Sequence, residues 1–212
     1  MREQLKDQLA AGIAVLGLNV NNRQQNSLLD YVDLLAKWNK AYNLTSIRQP
    51  EQMIDRHILD SLAIAEHLCG QRFVDIGTGA GLPGIPLAIV FPEREFDLVD
   101  GLGKRTRFLF QVKTELGLDN MQVHHSRAES FQSKVGYDGV LTRAFASLPE
   151  MLKACGHICD SRGIFYAMKG ALPKQELENI GQNFQLIDVR PIKVPGLDEQ
   201  RHLVLISPRS EN

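Results

Sequence analysis

Residues 72–89 read RFVDIGTGAGLPGIPLAI, a short apolar run that opens into a turn carrying four glycines and two prolines. Counted from Gly79, the glycines Gly79, Gly81 and Gly84 spell G-x-G-x-x-G, the pattern of a dinucleotide loop. Counted from Asp75, the residues Asp75, Gly77, Gly79 and Gly81 spell D-x-G-x-G-x-G, a loop suited to S-adenosylmethionine. Either loop follows a strand and opens a helix, where ligands bind at the carboxyl edge of an open α/β sheet. Charge separates the two readings. A dinucleotide brings a pyrophosphate, which an acid at position 75 repels, whereas S-adenosylmethionine brings an ammonium and a sulfonium, which it attracts. Proline separates them again: pyrophosphate needs free N–H groups at a helix N-terminus, and Pro83 and Pro86 each remove one.

The chain changes period at this stretch. Before it, residues 1–70 read as a helical extension, with Leu28, Leu29, Val32, Leu35 and Ala36 recurring on one helix face, and a further helix running from Pro50 to near Gly70. From residue 71 to 212, short β-rich runs (FVDI, EFDLVD, MQVHH, YDGVLTRA, GIFYAMKG) alternate with helical lengths, which predicts a parallel sheet covered on both faces. Two last runs, FQLIDVRPIKV and RHLVLISP, are joined across Pro195-Gly196 by a connection too short for a parallel crossover, so they should pair antiparallel. A seven-stranded, mostly parallel α/β sheet with an antiparallel last strand is the outline of a Rossmann-like class I methyltransferase, whereas a dinucleotide sheet is usually six parallel strands.

Twenty-four Lys and Arg against 25 Asp and Glu leave the net charge near zero, which excludes a nucleic-acid-coating protein and confines any RNA contact to a local patch. No apolar run approaches the roughly 20 residues of a bilayer span. The charged start MREQLKDQLA lacks the apolar stretch of a signal peptide, so a soluble, cytoplasmic protein is expected. The three cysteines give no disulfide framework, and CGHIC (155–159) lacks the second ligand pair that zinc requires. These residues are expected as small apolar groups on a helix, with no metal.

Asp100 closes the second strand, where an acid accepts hydrogen bonds from both ribose hydroxyls of a nucleoside ligand. In SRAES, which follows the third run, the backbone of Ala128 and Glu129 lies where an adenine edge would be read. The same five residues also match a capping box with Ser126 and Glu129. Trp38 and Tyr42 are expected to pack in the helical extension rather than stack a base.

Taken together, HILDS, DIGTGAGLPGIPLAI, GKRTRFL, RAFASL, YAMKG and RHLVLI resemble the bacterial ribosomal RNA small subunit methyltransferase G family, formerly glucose-inhibited division protein B, over essentially the whole chain. The resemblance implies methyl transfer from S-adenosylmethionine, leaving S-adenosylhomocysteine, to the N7 nitrogen of a guanine in 16S ribosomal RNA, by a monomer acting on free RNA or within the small ribosomal subunit. It carries Gly77, Leu82, Ala128, Glu129 and Arg143 over as cofactor contacts, beside Asp75, Gly79, Gly81 and Asp100. The family often has proline at the place of Ala80 and serine at that of Gly101. N7 of guanine is a neutral nucleophile, so no general base is expected. Arg127, Arg143, Lys169 and Arg201, at strand ends, are candidates to position the guanine, and Lys104, Arg105 and Arg107 to grip phosphates. His57 and Asp60 are read as a lid over the cofactor. The alternatives are an NAD-linked oxidoreductase using the same loop, and a non-enzymatic RNA-binding module that keeps a vestigial pocket.

Overall fold

Four α-helical segments precede the first strand: α1 (Arg2–Leu16), α2 (Asn22–Tyr42), α3 (Pro50–Met53) and α4 (Asp60–Leu62). In this computed structural model, which describes residues 2–209 apart from residues 134, 144 and 146, α3 and α4 are joined by a turn of π-helix, Ile54–Leu59. The predicted third helix is therefore one rod with a widened middle turn. Asn21 starts α2 with a reciprocal capping box to Gln24, and Asn43 ends it in the left-handed region, φ 48°. Leu28, Leu29, Val32 and Leu35 are all buried, as their spacing requires.

The remainder alternates: β1 (Arg72–Ile76), α5 (Gly84–Val90), β2 (Glu95–Asp100), α6 (Gly103–Leu116), β3 (Met121–His125), β4 (Tyr137–Arg143), α7 (Leu148–Cys155), β5 (Cys159–Lys169), α8 (Lys174–Leu177), β6 (Phe184–Pro191) and β7 (His202–Pro208). Seven strands form one sheet in the order β3-β2-β1-β4-β5-β7-β6. β1 to β5 are parallel, while β7 runs antiparallel to both β5 and β6. This is the Rossmann-like sheet the sequence predicts, with the last strand inserted between its two predecessors.

Alternate residues of β1 face opposite sides of the sheet, and each side has its own core. Phe73 joins a cluster with Leu28, Ile58, Leu59, Ile85 and Phe108, so the N-terminal helices share one apolar core with α5 and α6. Val74 and Ile76 join a second cluster with Met151, Leu152 and Phe165. Trp38 packs against Phe108 with ring centroids 5.7 Å apart, and Tyr42 stacks on it at 5.1 Å. Core packing, not base stacking, occupies the indole. CGHIC is not a single helix: buried Cys155 ends α7, Cys159 opens β5, and His157 Nε2 lies 2.9 Å from the Phe131 carbonyl. Among the described residues no group of three metal-ligating side chains converges.

Candidate active site

The carboxyl ends of β1, β2 and β4 meet around the glycine loop. Gly77 and Gly79 adopt φ of 68° and 62°, a region that side chains rarely tolerate. A Cβ on Gly79 would meet nothing nearer than 3.9 Å, so the loop's bare backbone faces open space. Beneath it lies Asp75, fully buried. Its Oδ2 accepts hydrogen bonds from Thr78 Oγ1 at 2.6 Å and from Gly84 N at 2.8 Å, while Oδ1 has no partner. Burial pushes the Asp75 carboxyl up to about 6, against the opposing pull of those two donors and of Arg143. From above, Tyr31 of α2 donates its hydroxyl to the Ala80 carbonyl at 2.7 Å. Burial of that phenol raises its pKa strongly.

The start of α5 settles the choice between the two loop readings. Gly84 gives its N–H to Asp75, Ile85 gives its own to the Gly81 carbonyl at 2.7 Å, and Pro83 and Pro86 have none to give. No donor of that helix end is left for a pyrophosphate.

Two cavities flank the loop and share Gly77 and Arg105. One, of about 320 Å³, is lined by Val99, Asp100, Leu102, Arg127, Ala128 and Glu129, with Phe145 on its wall. The other, of about 280 Å³, is lined by Leu44, Thr45, His57, Gly79, Leu82 and Arg143. Asp100, 3% exposed, stands between them and accepts from Gly79 N at 3.0 Å, Leu102 N at 2.9 Å and Arg105 Nη1 at 3.1 Å. It fixes the loop to β2 as well as walling the first cavity.

The π turn brings His57 to the second cavity, and Asp60 follows it, buried against Arg143. His57 is buried and accepts at Nε2 from Thr45 Oγ1, 2.9 Å away, whose oxygen in turn receives the Ile47 N–H. Its Nδ1–H is directed to the Arg56 carbonyl at 3.0 Å. Burial, reinforced by Arg143, lowers the His57 pKa to about 4, so the ring is neutral at physiological pH. Asp60 binds Arg201 Nε at 2.9 Å and lies 3.4 Å from Arg143 Nη2, which also donates to the Arg56 carbonyl at 2.8 Å. Arg143 Nη1 is buried with no acceptor among the described residues.

The residues singled out from the sequence are not all gathered here. Gly77, Gly79, Leu82, Asp100, Ala128, Glu129, Arg127 and Arg143 line one cavity or the other. Asp75 and Gly81 lie beneath the loop, where a Cβ on Gly81 would come within 2.2 Å of Ile85 Cδ1. Lys169 is set back, its Nζ 2.8 Å from Glu176 Oε2, which also accepts the Leu148 N–H at the head of α7. Arg201 reaches the cavity only through Asp60. The trio Lys104, Arg105 and Arg107 does not share one exposed face. Arg105 turns inward to Asp100, Lys104 donates to the Tyr42 carbonyl at 2.9 Å, and only Arg107 is exposed. The capping box in SRAES is absent as well: Arg127 precedes a short 3₁₀ turn, and Ser126 Oγ donates to the Arg127 carbonyl at 3.0 Å. Leu44, Thr45, Thr78 and Phe145 also line the cavities; Thr78 lies in the glycine loop and Phe145 in RAFASL, but none of the four carries a chemical signal of its own in the sequence. Phe145 was findable in principle, being two residues past the end of β4 at the ligand-binding edge.

The residues present fit S-adenosylmethionine. An uncrowded glycine cradle, a buried carboxylate beneath it, an acid at the end of β2 and a buried guanidinium N–H lacking an acceptor match a ligand with a nucleoside, a cationic centre and one carboxylate. Comparisons point the same way. The family described as rRNA small subunit methyltransferase G matches residues 24–204. The ribosomal RNA small subunit methyltransferase G of Shewanella amazonensis is 55% identical over 200 residues, covering 94% of this chain and 97% of that protein. Its counterpart in Klebsiella pneumoniae is 52% identical over 194 residues, 92% and 94% of the two chains. Among solved structures, Pyrococcus horikoshii TYW2 in complex with MeSAdo superposes with a TM-score of 0.57 at 13% identity over 71% of this chain and 61% of that one. Thermus thermophilus TrmN does so at 0.54 and 16%, over 74% and 53%. At such identities these two show the fold alone.

Proposed function

The chain belongs to the rRNA small subunit methyltransferase G family, and on that premise we propose that it carries a methyl group from S-adenosylmethionine to N7 of a guanine in 16S ribosomal RNA. The observation that carries the cofactor reading is the pairing of a helix end with no free donor and a buried Arg143 Nη1 with no acceptor. That arrangement suits a cationic ligand bearing one carboxylate and does not suit a dinucleotide. On this reading residues 1–70 are an extension that closes over a methyltransferase domain of residues 71–212. Asp100, Ala128 and Glu129 hold the nucleoside part in the first cavity, and Leu82 and Arg143 hold the amino-acid part in the second. S-adenosylmethionine supplies an electrophilic methyl group on a sulfonium.

The chain's own work is alignment. N7 of guanine attacks with an existing lone pair, so no side chain has to take a proton first. Orientation of this kind supplies on the order of 7–11 kcal/mol in well-positioned reactions. His57, held neutral, adds no cation beside the loop, and the buried charge of Asp75 favours a positive centre above it. The modified base gains a positive charge that spreads toward its O6 carbonyl. On this reading Arg127, exposed on the wall of the first cavity, is a candidate donor to that oxygen. Among the described residues no helix is long and apolar enough to cross a membrane, and an enzyme of ribosomal RNA works in the cytoplasm, on RNA or on the small subunit.

The test is to map N7-methylguanosine in 16S RNA from cells with and without this protein, and to titrate the purified protein with S-adenosylhomocysteine and with NADH. Loss of one methylated guanine, with binding of the first ligand only, is the expected result. Unchanged methylation overturns the proposal.

A further inference from the structure

Asp60 is nearly buried, 3% exposed, and comes from the helical segment, whereas Arg143, which it holds, ends β4. It holds two guanidinium groups at once: Arg201 Nε at 2.9 Å on Oδ1 and Arg143 Nη2 at 3.4 Å on Oδ2. The Arg56 carbonyl, in the π turn just before it, faces His57 Nδ1 and also takes a second bond from the same Arg143 Nη2, at 2.8 Å. A guanidinium is planar, so fixing Nη2 from two sides also fixes the direction of Nη1. Among the described residues, Nη1 is the buried donor of the site left without an acceptor.

We propose, resting on the cofactor reading above, that Asp60 is a positioning residue: it locks the Arg143 fork so that Nη1 meets the carboxylate of the cofactor's methionyl end. The N-terminal extension is then part of the binding site, and Arg201 serves to hold Asp60 rather than to touch the base. A buried carboxylate shared by two arginines also prevents those cations from facing one another uncompensated. Asparagine at position 60 keeps the shape and one acceptor. It loses the charge that pins Arg143.

Two ligands separate this role from general loss of structure. S-adenosylhomocysteine carries the amino-acid end, and 5′-methylthioadenosine lacks it. Asp60→Asn should weaken S-adenosylhomocysteine about tenfold or more in calorimetry, the scale of losing one hydrogen bond to a charged group, and leave 5′-methylthioadenosine within about twofold. Arg143→Lys, which keeps the charge and removes the fork, should show the same split. On that background Asp60→Asn should add no further loss, because the two act through one contact. Equal weakening of both ligands, additive losses in the double variant, or undiminished S-adenosylhomocysteine binding in a folded Asp60→Asn protein each overturn the proposal. Failure of the wild-type protein to bind S-adenosylhomocysteine overturns instead the cofactor reading beneath it.

Discussion

Asp75→Asn removes a buried charge while keeping the side chain's shape, and the fold should respond with a gain in stability that depends on pH. The asparagine oxygen can accept from Thr78 and Gly84 as Oδ2 does, and its amide then fills the place of the unpartnered Oδ1. The native carboxyl is raised from 3.8 to about 6, so the folded state holds its proton more tightly than the unfolded chain. Stability from this group is greatest below pH 3.8 and declines as pH rises to about 6, by about 3 kcal/mol at 1.36 kcal/mol per pH unit. His57 works in the opposite sense. Its pKa falls from 6.5 to about 4, so its contribution is intact above pH 6.5 and is lost as pH falls toward 4, again by about 3 kcal/mol. The two windows overlap, and in the native protein the slopes nearly cancel. Urea unfolding at constant ionic strength from pH 4 to pH 7 should therefore show a shallow profile for the native chain. Asp75→Asn should show a steep one that falls on the acid side. The difference between them should grow by about 3 kcal/mol from pH 4 to pH 6, with the denaturant slope unchanged. A difference that stays flat across that range would refute the assignment of a raised carboxyl pKa to Asp75. The same variant should bind S-adenosylhomocysteine no more tightly than the native protein despite its greater stability.

Three further outcomes are expected. Asp100→Ala strips the acceptor from Gly79 N, Leu102 N and Arg105 and should weaken S-adenosylhomocysteine by about 1.5–3 kcal/mol; unchanged affinity by calorimetry would reduce Asp100 to a turn residue. A Cβ on Gly12 would lie 2.3 Å from Leu59 Cδ1, so Gly12→Val should prise α1 from the π turn and cost about 1–3 kcal/mol in thermal unfolding. Arg107→Gln should flatten the salt dependence of RNA association by about one unit without altering cofactor affinity, whereas Arg105→Gln, whose side chain lines both cavities, should alter cofactor affinity instead.

The loop and the sheet were legible because their signals are local. An acid two residues before Gly77, glycines at alternate positions and prolines at a helix start each constrain the backbone where they stand, and the closing pair of strands followed from the brevity of its connection. The partners of the charged side chains were not legible. Asp60 and Arg201 are 141 residues apart, and nothing near either one names the other. A basic run on a helix shows cations but not their rotation, which is why Arg105 turns to an acid five residues back while Arg107 faces water. Lys169 looked like a pocket residue from its strand end, yet Glu176, seven residues on, takes its charge and ties it to the head of the more distant α7. The π turn leaves no pattern in composition or period, so the element that brings His57 to the cavity and sets Asp60 against Arg143 emerges only with the fold.

The order β5-β7-β6 has a consequence during synthesis. Among the described residues β6 pairs only with β7, and β7 leaves the ribosome after it. Until residues 202–208 emerge, β5 and β6 both present unpaired backbone edges, and β6 carries Leu186 and Ile187, which stay 41% and 48% exposed even in the finished sheet. The nascent chain thus holds two sticky edges open until β7 emerges, and a stalled or shortened product lacking residues 202–208 is the species most prone to aggregate.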